Sequence, residues 1–539
     1  MKIALSQINT TVGALEKNRD KILDYYKQAL DLGAELVVFP ELAITGYPPQ
    51  DLLHQGGFVE NNIAILEEIA HKSRQPILLG FVNQKNGNLF NSAALCTQGR
   101  VIYTYDKMLL PTYDVFDESR YFEAGSLPGV AEIEISAKKI KIGIEICEDL
   151  WDDDYGNKVT ELLEQAEVDL IVNISASPYH DGRLLDRCGL IERKVNKLKI
   201  PFIYCNLVGA QDELIFDGQS LAFNNSGQLI GQGKGFKEDL IIVDPENGKK
   251  VDIKLKSRPE KLYQALCLGV KDYFSKTGHK EAVLGLSGGI DSSLAACIAV
   301  DALGAENVHG ISMPSKYSSG HSKRDALALA HNLGLDFSVI QIENTVKSFE
   351  KDLYSFFKNT IPSSAEENIQ ARIRGILLMA FANKFNWMVL STGNKTETAL
   401  GYCTLYGDMN GGLAVISDLS KKDVYVLANW VNENSGKSRI PENSISKPPS
   451  AELKENQIDP FNYEVVSPLV SALIEDNISA QELIEGGAQK ELVEDLVQRI
   501  RINEFKRRQA PPGLRVTSKA FGMGRRYPIV NQFRQKINK

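Results

Sequence analysis

Between Glu281 and Leu303 an apolar stretch, residues 281–286, runs into the turn Ser287-Gly288-Gly289-Ile290-Asp291-Ser292-Ser293 and then into the alanine-rich residues 294–303. The first reads as a buried strand and the last as a helix, so a strand, a small-residue turn and a helix start meet at one point. Such a junction presents free backbone N–H groups at the positive end of a helix dipole, which makes it an anion site. The two glycines admit the anion closely, Ser287, Ser292 and Ser293 add hydroxyls, and Asp291 can hold a cation alongside. The turn lacks a lysine, so it is not the Gly-x-x-x-x-Gly-Lys-Ser/Thr loop. The Gly-Lys-Ser at 436–438 has Val431 where that loop needs its first glycine. A serine- and glycine-rich connection in an ordinary α/β fold is the plainer reading, and the strand-turn-helix context weighs against it.

Around this junction helices and strands alternate. Helices are expected at 259–276, 321–333 and 367–385, and strands at 309–313, 337–342 and 388–391. This βαβ pattern predicts a parallel sheet with ligands at the carboxyl ends of its strands. Met313-Pro314-Ser315 ends one strand, where an adenine can lie. Ser391 to Glu397 ends another, and there Lys395 suits a phosphate and Glu397 a magnesium ion. The segment from Asn368 to Arg374 reads on periodicity alone as an amphipathic helix with solvated charges.

At 539 residues the chain exceeds a single core. Its apolar and charged fractions, 43% and 24%, are those of soluble proteins, no stretch approaches a membrane span, and the N-terminus has no leader-like apolar run. A cytoplasmic enzyme is expected. The seven cysteines form no Cys-x-x-Cys pair, so neither a disulfide framework nor a zinc site is indicated. Residues 1–245 read as a layered α/β domain, 246–258 as a linker, with Pro245 and Gly248 marking the boundary, and 259–539 as a second domain. In the first domain Glu41, Lys107 and Cys147 each end a strand. A carboxylate, an ammonium and a thiol can serve as base, oxyanion stabiliser and nucleophile, although each taken singly is more often rim or core.

The sequences Phe39-Pro-Glu-Leu, Tyr105-Asp-Lys-Met-Leu-Leu-Pro and Gly143-Ile-Glu-Ile-Cys-Glu-Asp-Leu-Trp resemble the three signature blocks of the nitrilase, or carbon-nitrogen hydrolase, superfamily. That resemblance implies an αββα sandwich in which Cys147 is the nucleophile, Glu41 the general base and Lys107 the oxyanion stabiliser, with Glu118 as a second glutamate. It also implies that Tyr113, Arg183 and Ser177, or its neighbour Ser175, grip a glutamine. Glu148 and Asp149 beside Cys147 are expected to raise its pKa, against the field of Lys107.

The second half resembles the ATP pyrophosphatases at 285–293. With Glu366-Glu-Asn-Ile-Gln-Ala-Arg-Ile-Arg-Gly, Ser391-Thr-Gly-Asn-Lys-Thr-Glu and Tyr406-Gly-Asp-Met added, it resembles the glutamine-dependent NAD synthetases over essentially the whole chain. This resemblance implies an adenine nucleotide alpha-hydrolase-like parallel-sheet domain that takes ATP and Mg²⁺. Gly285, Leu286, Ser287, Gly288, Gly289, Ile290, Asp291, Ser292 and Thr392 would contact ATP, as would Lys395. Asp291 and Glu397 would hold the metal, and Asn368, Glu397 and Lys506 would contact deamido-NAD. Amidation would then use ammonia freed from glutamine and delivered through an internal passage.

Residues 499–539 hold twelve Lys or Arg and one acid, Glu504. A nucleic-acid binder, a solvated tail and an intersubunit arm are open readings; the narrower expectation is that Lys506-Arg507-Arg508 closes over an anionic dinucleotide. Partners are expected to be small molecules rather than nucleic acid or membrane, with a homo-oligomer built on a dimer of the second domain. An RNA-modifying pyrophosphatase would leave the nitrilase-like half unexplained. A non-catalytic nucleotide sensor would bind ATP without releasing pyrophosphate.

Overall fold

The computed structural model of the protein describes residues 1–135 and 138–535. Its contacts divide the chain into two compact units, Met1–Lys256 and Ser257–Lys539.

The first unit contains two six-stranded sheets. One runs in the order Asp239–Val243, Ile3–Gln7, Leu36–Val38, Ile77–Lys85, Asn88–Thr97, Arg100–Asp106. The other runs Leu229–Gln232, Leu221–Phe223, Phe202–Asn206, Leu170–Ser175, Lys138–Ile146, Gly129–Ile135. Central strands such as Leu36-Val37-Val38 are apolar on both faces because both faces are covered. Leu36 and Val38 point into a core shared by the two sheets, while Val37 packs under the helices Leu15–Asp31 and Phe58–Lys72. The second sheet is covered in turn by Arg183–Leu198, whose Leu190, Ile191 and Val195 pack on Ile171 and Tyr204. The result is the expected αββα sandwich. The hairpin joining Asn88–Thr97 to Arg100–Asp106 turns at Gln98 and Gly99, both at positive φ, as a two-residue turn requires. Residues beyond the last strand return to this unit: Val251 N–H donates to the Leu229 carbonyl at 2.8 Å, and Lys254 N–H to Gln232 at 2.8 Å.

The second unit is built on a parallel sheet in the order Asp336–Val339, Val308–Ser312, Ala282–Gly285, Met388–Ser391, Leu413–Ala414. The strand order reverses beside Ala282–Gly285, and the crevice at that reversal is where such sheets bind ligands. Helix starts carry the caps expected of their sequences: Ser319, Ser363, Asn394 and Ser420 each accept a backbone N–H from the first turn. The helices Lys421–Ser435, Tyr463–Ile474 and Lys490–Ile502 complete the unit. The C-terminal segment reaches the sheet edge, where Gly513 bridges Ala414.

Candidate functional site

In the first unit three strand ends converge. Glu41 follows Leu36–Val38 and is pressed against Gly80, where a Cβ would run into the Glu41 and Leu42 backbone. Lys107 follows Arg100–Asp106. Cys147 follows Lys138–Ile146 and sits at φ +43°, a left-handed conformation that a thiol side chain adopts only when the surroundings enforce it. Lys107 Nζ lies 2.7 Å from Glu41 Oε1 and 2.9 Å from both oxygens of Glu118. Asn91 Nδ2 donates to Glu41 at 2.7 Å, the Ala176 N–H to Glu41 Oε2 at 2.8 Å, and the Tyr47 hydroxyl to Glu118 at 2.9 Å. Desolvating such ions costs several kcal/mol each. The inter-sheet core, where each fully buried aliphatic side chain contributes about 1.5–3 kcal/mol, offsets that cost.

The electrostatics follow from this crowding. Burial works against the Lys107 ammonium, but Glu118, Glu41 and Cys147 hold its pKa well above the ordinary lysine value. Burial first, then Glu41, pushes the Cys147 thiol well above its usual value, while Lys107 pulls the other way. A neutral resting thiol needs a base during attack, and Glu41 is the carboxylate that acts most strongly on it. Glu148 adds to the upward push on the thiol, as expected, while Asp149 has a structural role. Its carboxylate accepts the Met108 and Leu109 N–H groups at 3.1 and 2.9 Å, the Ile146 N–H at 2.9 Å and the Tyr105 hydroxyl at 2.8 Å. It therefore ties the nucleophile's loop to the lysine's loop.

Beside the thiol, Glu148 accepts the Tyr113 hydroxyl at 3.1 Å and the Tyr155 hydroxyl at 2.9 Å. Arg183 stacks over Trp151 at 3.9 Å, and among the described residues no carboxylate pairs with it. Burial lowers its pKa. A partnerless, largely desolvated guanidinium facing a paired carboxylate forms a cradle of opposite charges. Ser177 Oγ and its carbonyl oxygen accept from Arg187, which pairs with Asp217 at 2.7 Å; the Ser175 hydroxyl donates to Asn173. Glu148 was read from sequence only as a perturber of the thiol. One of its polar contacts, Tyr113, is 35 residues away in the chain.

In the second unit a cavity of about 310 Å³ opens at the carboxyl ends of the sheet. Gly285, Ser287, Gly289, Asp291 and Ser292 line it, with Met313 and Pro314 on one side and Thr392 and Glu397 on the other. Gly288 sits at φ +78°, and a Cβ there would run into the Ser322 carbonyl oxygen. Ser287 Oγ accepts the Gly289 N–H and meets Ser292 Oγ, both at 3.1 Å, so the turn is held open by its own hydroxyls. Asn394 joins the two acids: its Nδ2 donates to Asp291 at 2.9 Å and its Oδ1 accepts the Glu397 N–H at 3.0 Å. Arg374 also lines the cavity, donating to the Met313 carbonyl at 3.0 Å, and burial lowers its pKa to about 10.

One expectation fails here. Lys395 does not reach toward phosphate; its ammonium is buried against Asp418 at 2.9 Å, Glu475 at 2.8 Å and Thr517 at 2.8 Å. The first turn of its helix aims it away from the cavity. Lys421, which spacing did not single out, faces the cavity instead and bonds Asp291 and, at 3.3 Å, Glu397. Asn368 lies behind the wall, accepting from Thr404 at 2.8 Å. Lys506 Nζ donates to the Gly401 and Cys403 carbonyls at 2.8 Å each. Arg507 turns inward and pairs with Glu504 at 2.9 Å, so it does not close over a dinucleotide.

Burial, with Asp291 and Asp459, pushes the Glu397 carboxyl up despite Lys421. Asp459 Oδ1 is buried without a hydrogen-bond partner, and that residue lines the same cavity. These hard oxygen donors fit a magnesium ion that completes its shell with phosphate oxygens and water. Among the described residues no group of three or more His, Cys, Asp or Glu is gathered for an all-protein metal cage.

Residues 2–246 match the carbon-nitrogen hydrolase family and residues 262–510 the NAD synthase family. The chain is 47% identical to the glutamine-dependent NAD(+) synthetase of Synechocystis sp., over 98% of this chain and 99% of the relative. It is 40% identical to that of Thermotoga maritima over the full length of both. It superposes on the structure of the Acinetobacter baumannii glutamine-dependent NAD+ synthetase in complex with ADP with a TM-score of 0.79, at 39% identity and 98% coverage of each chain. Two catalytic centres on one chain, with relatives matched from end to end, place the protein in the glutamine-dependent NAD(+) synthetase family.

Proposed function

We propose that the chain amidates deamido-NAD to NAD, using ATP and ammonia released from L-glutamine, with AMP, pyrophosphate and glutamate as the other products. The observation that carries this reading is that one chain holds both the buried Glu41–Lys107–Glu118 cluster beside Cys147 and the lysine-free phosphate loop above a parallel sheet.

In the first unit Glu41 takes the Cys147 proton as sulfur attacks the glutamine amide carbon. Lys107 faces the oxygen that becomes negative. Ammonia leaves with a proton returned by Glu41, and water hydrolyses the thioester to glutamate. The Arg183 guanidinium suits the substrate carboxylate, and Glu148, braced by Tyr113 and Tyr155, suits its ammonium. Ser177 or Ser175 completes that end.

In the second unit a carboxylate oxygen of deamido-NAD attacks the α-phosphorus of ATP, pyrophosphate leaves into the 285–293 loop, and ammonia then displaces AMP. Magnesium held by Asp291 and Glu397 would offset phosphate charge. Thr392, Lys421 and the loop N–H groups position the triphosphate, while Asn368 and Lys506 would contact the dinucleotide.

We place the enzyme in the cytoplasm. It acts there as a homo-oligomer through the apolar side chains that the helices Glu343–Phe357 and Ser364–Phe385 expose. The experiment that tests the function compares nitrogen sources in a Cys147→Ala variant. NAD formation should vanish with glutamine and persist with ammonium salts; loss of both, or of neither, contradicts the scheme.

A further inference from the structure

Apart from Lys506, the basic C-terminal segment has no part in the chemistry above, yet its side chains converge on one element. The helix Lys395–Leu400 carries Glu397 in its first turn. At six residues it is too short to hold its own position in water.

Both of its ends are fastened to the same stretch of chain. At the start, Lys395 Nζ donates to Thr517 Oγ1 and the Lys519 carbonyl at 2.8 Å each. Asp418, paired with that ammonium, accepts the Val516 and Thr517 N–H groups at 2.7 and 2.8 Å. At the end, Arg507 Nη1 donates to the Ala399 and Thr398 carbonyls at 2.8 and 3.2 Å, and Asn503 Nδ2 to the Leu400 carbonyl at 3.1 Å. Lys506 takes the next free carbonyls, those of Gly401 and Cys403. The last carbonyls of a helix lack partners within it and carry its negative pole, so cations belong there. Arg507 meets that need from a site that is 8% exposed, with Glu504 offsetting its charge.

We propose that residues 503–519 form a clamp that sets the position of Glu397, and that Arg507 is a positioning residue for the ATP-dependent step rather than a ligand of the dinucleotide. The inference rests on the reading of the second unit as the adenylating one and deepens it.

Arg507→Met and Arg507→Lys variants of the full chain test it. Calorimetric binding of ATP, with magnesium and with a chelator, is the first readout; ammonium-driven NAD formation and glutamine hydrolysis are the others. In Arg507→Met the magnesium-dependent gain in ATP affinity should fall by about tenfold, as for groups that orient metal ligands, while chelator-state binding and glutamine hydrolysis hold. Arg507→Lys should recover most of the gain, because an ammonium still reaches Ala399.

An unchanged magnesium-dependent gain overturns the clamp. So does an effect confined to the KM for deamido-NAD, or a loss shared equally by both ATP measurements and tracking the melting temperature. Should Arg507→Met fail to fold, Asn503→Ala removes one carbonyl partner and is held to the same outcomes. Absence of ammonium-driven product from the unmodified chain would sink the functional reading instead, and leave the ATP-binding readout to judge the clamp.

Discussion

Asp149 and Cys147 are separated by one residue and do opposite work. Cys147 needs freedom from partners to react, whereas both Asp149 oxygens are saturated by four donors from two loops. Burial raises the Asp149 carboxyl to about 7 from an ordinary value of 3.8. The sign matters: a raised folded pKa means that the native state holds the proton between roughly pH 4 and 7, so this group's contribution to stability falls as pH climbs through that window. Its service to catalysis runs the other way, because only the ionised form accepts all four donors. Glutamine hydrolysis should therefore lose kcat/KM as pH drops through about 7. Asp149→Asn should remove that acid limb and lower activity about 10²-fold at every pH, since its NH₂ would oppose two of the donors. A pH–rate profile of glutamate release in both proteins decides the point. Gly288 supplies a second case at this scale. Gly288→Ala would need a strained positive φ and a Cβ inside the Ser322 carbonyl. Calorimetry should find ATP binding weakened by at least about tenfold with glutamine hydrolysis intact.

The helix Lys395–Leu400 shows what spacing can and cannot disclose. Its motif reads correctly as the end of a strand, the helix that follows was not read, and Glu397 and Thr392 line the cavity that such a strand end implies. Which way Lys395 points is decided by partners 23 to 124 residues away in sequence, Asp418, Glu475, Thr517 and Lys519, and no local pattern encodes them. Lys421 escaped notice for the same reason: it opens the helix Lys421–Ser435, and only the fold brings it to Asp291. The strands and helices flanking both catalytic centres were legible because burial imposes strict periodicity there. The short strands between Val208 and Phe223 and the helices after Lys421 lacked such a signature. The two lysines should separate in experiment. Lys395→Met strands Asp418 and Glu475 without their cation and should lower the unfolding free energy of the second unit by about 3–5 kcal/mol, read by denaturant titration. Lys421→Met should chiefly raise the KM for ATP in ammonium-driven synthesis.

Across the molecule, charge and apolar surface are distributed unequally. The net charge of −8 coexists with a basic C-terminal run whose described arginines are in part internal: Arg507 and Arg525 share Glu504 at 2.9 and 2.7 Å. A cation already neutralised inside the fold attracts no polyanion, so these two arginines add nothing to the surface field of that run. Exposed apolar side chains instead recur on two consecutive helices and the connection between them, with Phe356 77%, Ile361 89% and Ile376 59% exposed, and Tyr354 and Phe385 more than half exposed. An apolar face of that extent is unfavourable in water, and self-association about a two-fold axis is the commonest way for a chain to cover one, because each copy then buries the same face. Paired Phe356→Asp and Ile361→Asp substitutions place like charges opposite one another across such an axis. Sedimentation should show the substituted chain shifting to the single-chain species at concentrations where the unmodified chain is associated. Glutamine hydrolysis, whose residues all lie in the first unit, should persist; an unchanged sedimentation coefficient would remove this face as the point of association.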